Sequence, residues 1–287
     1  MPHPGIYFGT AGVPHSTEKY SSAAGIARIS ALGLEAMELQ FVQRVSMGEE
    51  SAHQVRQAAL DHGVRLSAHA PYYINFNSQA AEKVEASGER LLKAARIAAL
   101  CGAHSVVFHA GYYHDDPPAV VYGRIKERLQ ALTEQVRAEG LSICLRPETS
   151  GRASQFGDLD EVLRLSAEIA GVRPCIDWGH LYARACGVLN GYSAFGTVLD
   201  RVQAFLGKGA LSDMHLHVQG MAYTRAGERK HLNLGASDLR YEELAQALLD
   251  WGVGGTVVCE SPNLEEDALL LKQVYRRLRT CVQAGHS

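Results

Sequence analysis

Short apolar runs rich in β-branched residues alternate with longer stretches of helical periodicity along the whole chain, and no Pro/Gly/Ser linker or low-complexity tract interrupts them. The pattern predicts strands at Ile6 to Gly9, Ala36 to Gln40, Arg65 to His69, Ser105 to His109, Ser142 to Glu148, Arg173 to Asp177, Asp213 to His217 and Gly255 to Glu260. Helices are expected at Lys19 to Leu32, Glu50 to His62, Ala80 to Leu100, Pro118 to Glu139, Leu159 to Ala170, Ala194 to Leu206, Tyr241 to Trp251 and Glu265 to Thr280. Several helices stop on a glycine just before the next strand, as at Leu32-Gly33, His62-Gly63 and Trp251-Gly252, where a left-handed residue costs least. Eight strand–helix units with right-handed parallel crossovers make an α/β fold, a single-domain (β/α)8 TIM barrel over residues 1–287. A doubly wound sheet would be expected to carry Gly-x-Gly-x-x-Gly after an early strand, and that motif is absent.

A barrel presents its chemistry at the C-terminal ends of its strands. The third strand ends in His69, the fourth in His109, the fifth in Glu148, the sixth in Asp177 with His180 a turn later, the seventh in His215 and the eighth in Glu260. Any one of these could be a satisfied structural histidine or a helix-capping carboxylate. Together they form a ring of imidazoles and carboxylates that is costly to desolvate without a cation. Nitrogen and oxygen ligands without thiolate suit zinc, manganese or a related divalent ion. His217 shares a strand face with His215 and is read either as a neighbour of the metal shell, touching a ligand or substrate, or as plain packing. His3, His15, His53, His62, His104, His114 and His286 fall in termini, helices or loops and need no function.

The segments Ser67-Ala68-His69-Ala70-Pro71-Tyr72-Tyr73-Ile74-Asn75, Phe108-His109-Ala110-Gly111, Arg146-Pro147-Glu148-Thr149-Ser150-Gly151, Cys175-Ile176-Asp177-Trp178-Gly179-His180 and Cys259-Glu260-Ser261-Pro262 resemble endonuclease IV. That family comprises the abasic-site DNA nucleases of the xylose-isomerase-like TIM barrels. The resemblance implies two to three ions, zinc above all. His69 and His109 would bind the first, Glu148 would bridge it to a second completed by Asp177, His215 and Glu260, and His180 and His231 would serve a third. It also implies a double-stranded DNA partner, with Glu148 central to a metal-bridged hydroxide that cuts the phosphodiester 5′ of an abasic site.

Two departures stand out. The family pattern places an aspartate two residues before the histidine of the third site, where this chain has Arg229 before His231, with Glu228 one residue further back. A guanidinium cannot ligate a cation, so Arg229 is read instead as a substrate contact, and Glu228 as a substitute ligand only through a one-residue shift. Tyr73 stands where a leucine is usual, in a loop with Tyr72 that resembles one wedged into the DNA stack, and an aromatic can serve there. Arg44, Arg152, Arg184, Arg225 and Lys230 are the candidate phosphate-backbone contacts. Other readings are a single-metal sugar isomerase or epimerase of the same superfamily, and a silent lesion binder.

Composition adjusts this picture. With 28 Lys+Arg against 31 Asp+Glu over 287 residues the net charge is −3, which excludes capture of nucleic acid by bulk positive charge. Metal ions at the rim would still make the active face locally positive. Six scattered cysteines without a Cys-x-x-Cys pair read as buried apolar residues of a reducing compartment. Neither a signal sequence nor a membrane span is legible, so a cytoplasmic protein acting as a monomer is expected.

Overall fold

The computed structural model describes residues 5–284, and His3 and His286 lie outside that range. Eight parallel strands build the sheet: β1 (Ile6–Ala11), β2 (Ala36–Gln40), β3 (Arg65–His69), β4 (Ser105–Phe108), β5 (Cys144–Pro147), β6 (Cys175–Asp177), β7 (Met214–Val218) and β10 (Gly255–Cys259). They run β5-β4-β3-β2-β1-β10-β7-β6, and the bridges Leu145↔Val172 and Glu148↔Cys175 join the two ends. This is the single-domain TIM barrel that the alternation of elements predicts.

The expected helices surround it: α1 (Ser22–Ala31), α2 (Glu49–His62), α3 (Ala81–Leu100), α4 (Pro118–Ala138), α5 (Leu159–Glu168), α7 (Tyr192–Leu206), α8 (Tyr241–Asp250) and α9 (Glu265–Ala284). Two insertions were not foreseen. A short helix, α6 (Trp178–Arg184), starts directly on the last residue of β6, and an antiparallel hairpin, β8 (Gly220–Thr224) with β9 (Gly227–Leu232), follows β7. Local chemistry fixes helix ends. The Gly63 cap of α2 sits at φ 63°, and α5 opens on a capping box in which Asp158 and Glu161 exchange backbone contacts.

The outward faces of the strands pack on the helices through Ile26, Ile29, Leu91, Leu129 and Phe195, all fully buried. The inward face is unusually polar. Alternate residues of each strand share a face, so Arg65, Ser67 and His69 rise in order up β3, as do Arg146 on β5 and Glu148 just past its end, Cys175 and Asp177 on β6, and His215 and His217 on β7. At the floor the Asp213 carboxylate gathers Arg65 and Arg173, each at 2.8 Å, and the buried Arg146 at 3.6 Å. At the opposite end the same alternation delivers the imidazoles and carboxylates of the rim.

Strand β10, which precedes Glu260, starts from Gly255 at φ 113°, where a Cβ would lie 2.1 Å from the carbonyl oxygen of Met214. Replacing Gly255 with alanine should therefore destabilise the fold by roughly 2–4 kcal/mol from strain and displacement of the neighbouring strand. Urea unfolding checks this, and an unchanged midpoint would contradict it.

Candidate metal centre

Three ligand groups meet at the C-terminal mouth of the barrel, around a cavity of about 320 Å³ lined by His69, His109, Glu148, His180, Glu228 and His231 among others. In the first group His69 and His109 aim Nε2 at the same oxygen of Glu148, 3.1 and 3.2 Å away. The second comprises Glu148, Asp177, His217 and Glu260, and the third His180, Glu228 and His231. Glu148 belongs to two of the three.

Strand ends and caps hold these side chains. Asp177 closes β6 and caps α6 by accepting the His180 amide at 2.7 Å, which sets His180 over the mouth. Gln219 donates to both Asp177 oxygens, at 3.0 and 2.8 Å. Three imidazoles have Nδ1 turned to a main-chain carbonyl: His69 to Ala70 at 2.8 Å, His180 to Thr149 at 2.9 Å and His231 to Glu260 at 3.2 Å. Donation there leaves Nε2 as the free donor atom, the arrangement a metal-binding histidine requires. The donor set thus fits divalent cations.

Sequence and structure disagree about β7. His217, not His215, stands with the carboxylates, its Nδ1 3.1 Å from Glu148 and 3.5 Å from Glu260. His215 lies one layer deeper and bonds Glu38 at 2.9 Å. The reason is register: His217 is level with Asp177, whereas His215 is level with Cys175. The usable signal was that ligands on other strands occupy the last inward position, which on β7 is 217.

The hairpin resolves the Arg229 departure. Residues 222 and 230 pair, as do 223 and 228, so Arg229 is an extra residue with no partner, a β-bulge. The bulge turns Glu228 and His231 to one face despite their odd spacing, and Glu228 approaches His180 Nε2 at 3.6 Å. Arg229 itself is exposed and does not line the cavity. Tyr72 lines the cavity, its ring 5.9 Å from that of His69, while Tyr73 projects from the same loop. Arg44, Arg152, Arg225 and Lys230 are exposed and Arg152 lines the cavity, but Arg184 is occupied by loop carbonyls, donating to Arg152 at 2.5 Å and Gln155 at 3.0 Å.

The centre's electrostatics call for positive charge. Although burial opposes ionisation, the His109 and His217 imidazoles and bonds from His180 hold Glu148 well below the usual carboxylate range. Burial lifts Asp177 to about 6, with Glu148 and Glu260 adding to the rise. Burial disfavours imidazolium, yet Glu148 raises His69 to about 9 and Asp177 raises His180 to about 10. His109, where burial dominates, drops to about 4.

An eight-stranded α/β barrel with imidazole and carboxylate groups able to hold cations at its mouth defines a class within the TIM barrels. The chain belongs to the xylose isomerase-like TIM barrel family, whose model matches residues 26–281. It is 45% identical over 273 residues, 95% of this chain and 98% of the relative, to an uncharacterized protein of Methanocaldococcus jannaschii. It is 27% identical over 222 residues, 74% of this chain and 73% of the relative, to a probable endonuclease 4 of Streptomyces coelicolor. Among solved structures, a D-tagatose 3-epimerase-like protein superposes with a TM-score of 0.74 at 17% identity, covering 97% of this chain and 100% of the other. Endonuclease IV of Thermus thermophilus superposes at 0.72 with 20% identity over 96% and 99%. Likeness at these identities shows the shared fold. Among the described residues, no helix is long and apolar enough to cross a membrane.

Two outcomes follow. His69 and His180 hold protons below about 9 and 10, so an arriving cation displaces them. Zinc affinity should therefore rise with pH between 6 and 9, on the order of tenfold per unit for each proton displaced. Chelator competition at several pH values measures this, and a flat profile would contradict it. Deleting Arg229 should straighten the hairpin while leaving Glu228 and His231 two positions apart on the same face, so the number of bound ions, read by elemental analysis, should not change. Loss of an ion on deletion would refute this reading of the bulge.

Proposed function

We propose that the protein is a metal-dependent endonuclease that hydrolyses the phosphodiester 5′ of an abasic site in double-stranded DNA, leaving a 3′-hydroxyl and a 5′-deoxyribose phosphate. The observation carrying this reading is Glu148, shared by two ligand groups beside a third. A single-metal sugar epimerase needs only the group of Glu148, Asp177, His217 and Glu260 with a histidine near His180, and has no use for His69, His109 and His231 together. The 27% identity to a probable endonuclease 4 supports the same choice.

Bound divalent ions, zinc first and manganese second, would supply charge neutralisation at the phosphate and a nucleophile at neutral pH. The chain's own residues do the rest. Glu148, kept ionised and buried, bridges adjacent ligand groups and sets their spacing. Tyr72 forms one wall of the cavity, and Tyr73 projects beyond it, placed to fill the gap left when an abasic nucleotide leaves the stack. Such a nucleotide has no base to unpair, so extrusion costs less than for an intact one. Exposed Arg44, Arg152, Arg225 and Lys230 contact flanking phosphates, and Arg229 on the outer side of the hairpin reaches the backbone rather than the cavity. The protein acts as a monomer in a reducing cytoplasm, a setting that suits its six free cysteines.

The test is incision of a synthetic abasic duplex at stated salt, with and without chelator, alongside metal analysis. Two or three ions per chain and chelator-sensitive incision are expected, and Glu148→Gln should lower incision on the order of 10²–10³-fold or more. Absence of incision with fresh zinc or manganese would sink the reading. One ion per chain would favour sugar chemistry, and retention of the duplex without cutting would favour a silent lesion binder.

A further inference from the structure

We propose that Glu38, a carboxylate of β2 with no part in the three ligand groups, is a positioning residue for His217: its charge favours hydrogen on Nε2 and so leaves the Nδ1 lone pair facing the metal centre. This rests on the reading that a cation sits among Glu148, Asp177, His217 and Glu260.

The two ring nitrogens of His217 face different chemistry. Around Nδ1 are Glu148 at 3.1 Å, Glu260 at 3.5 Å and Asp177 at 3.9 Å. On the other side, Glu38 Oε1 lies 3.1 Å from Nε2, and Nε2 has no aligned acceptor, Glu38 included, among the described residues. The contact is close but off-axis, so attraction between charge and N–H dipole holds the pair rather than a linear hydrogen bond.

Glu38 is itself clamped. Its Oε2 accepts from the Ser67 hydroxyl and from His215 Nε2, each at 2.9 Å, while Oε1 accepts from the Gln40 amide at 3.4 Å and faces His217. The carboxylate is fully buried in the barrel interior. A carboxylate there is costly unless its oxygens are engaged, and two imidazoles, a hydroxyl and the Gln40 amide surround them.

Position explains why a carboxylate is needed at all. His69, His180 and His231 anchor Nδ1 on main-chain carbonyls near the rim. His217 lies within β7, a strand hydrogen-bonded on both sides to β6 and β10, so its orienting acceptor comes from across the barrel. A carboxylate behind a ligating imidazole fixes ring orientation and tautomer and raises basicity at the metal-facing nitrogen.

The test compares full-length wild-type protein with E38Q and E38D, each stripped and reloaded with zinc. Competition with a chromophoric chelator reads affinity. Long-range proton–nitrogen spectra of ¹⁵N-histidine-labelled protein, assigned with H217Q, read which nitrogen of His217 carries hydrogen. In wild-type protein Nε2 should carry it. E38Q should weaken one ion by about 10–100-fold and shift the His217 Nε2 resonance, with the remaining ions within about threefold of wild type. E38D, which keeps the charge at shorter reach, should show a smaller loss and serves as the readout should E38Q not fold. Unchanged zinc affinity and an unchanged His217 spectrum in E38Q would overturn the proposal. So would an equal loss of every ion together with a lower melting temperature of the metal-free protein, which marks a merely structural role. Wild-type protein that takes up no zinc would sink the metal reading itself, whereas wild-type uptake with an unresponsive E38Q sinks the role of Glu38 alone.

Discussion

Everything at the mouth of the barrel depends on a charge problem set by the strands. Glu148 and Asp177 are buried beside one another, with Glu260 and Glu228 at the edge, and strand register prevents them from separating. Carboxylates so confined cannot all ionise without compensating positive charge. The imidazoles supply it when protonated, and a cation supplies it better because it can contact several oxygens at once. The floor solves the mirror problem with protein groups alone, three arginines around Asp213. One end of the barrel is therefore complete as a structure, while the other is arranged for a cation.

Much of this was legible in the sequence, for physical reasons that also mark where reading stops. Glycine caps and apolar runs delimit elements, so the eight strands and the helices between them stand close to their expected bounds. The clustered side chains His69, His109, Glu148 and Asp177 are legible because they end strands, and barrel chemistry gathers at strand ends. On β7 both histidines share a face, and only cross-strand register tells that His217 rather than His215 is level with the rim. Glu38 was missed because a polar residue in mid-strand gives no terminal signal. The helix Trp178–Arg184 follows β6 with no intervening loop, and it carried Arg184 away from the surface role assigned to it into a network of loop carbonyls.

Family membership fixes architecture and leaves chemistry to the site. The barrel superposes almost equally on an epimerase-like protein and on an endonuclease IV, as expected where the shared part is the strand scaffold. What distinguishes one chain from another stands above it, in the side chains that converge on the mouth. In this chain they come also from β3, the end of β4, α6 and the hairpin. The unforeseen insertions are thus part of the centre rather than decoration around it.

The bulge at Arg229 separates position along the chain from the direction a side chain points. In a regular hairpin, adding a residue would turn every later side chain to the opposite face. Here the added residue is absorbed within the ladder, and the inner face keeps its carboxylate and imidazole while the outer face gains an arginine. Length variation in this hairpin can therefore be silent toward the centre yet change the charge that the molecule shows to its surroundings. Comparing relatives by column alone would place an arginine among the ligands, whereas following the pleat finds the acid one residue earlier.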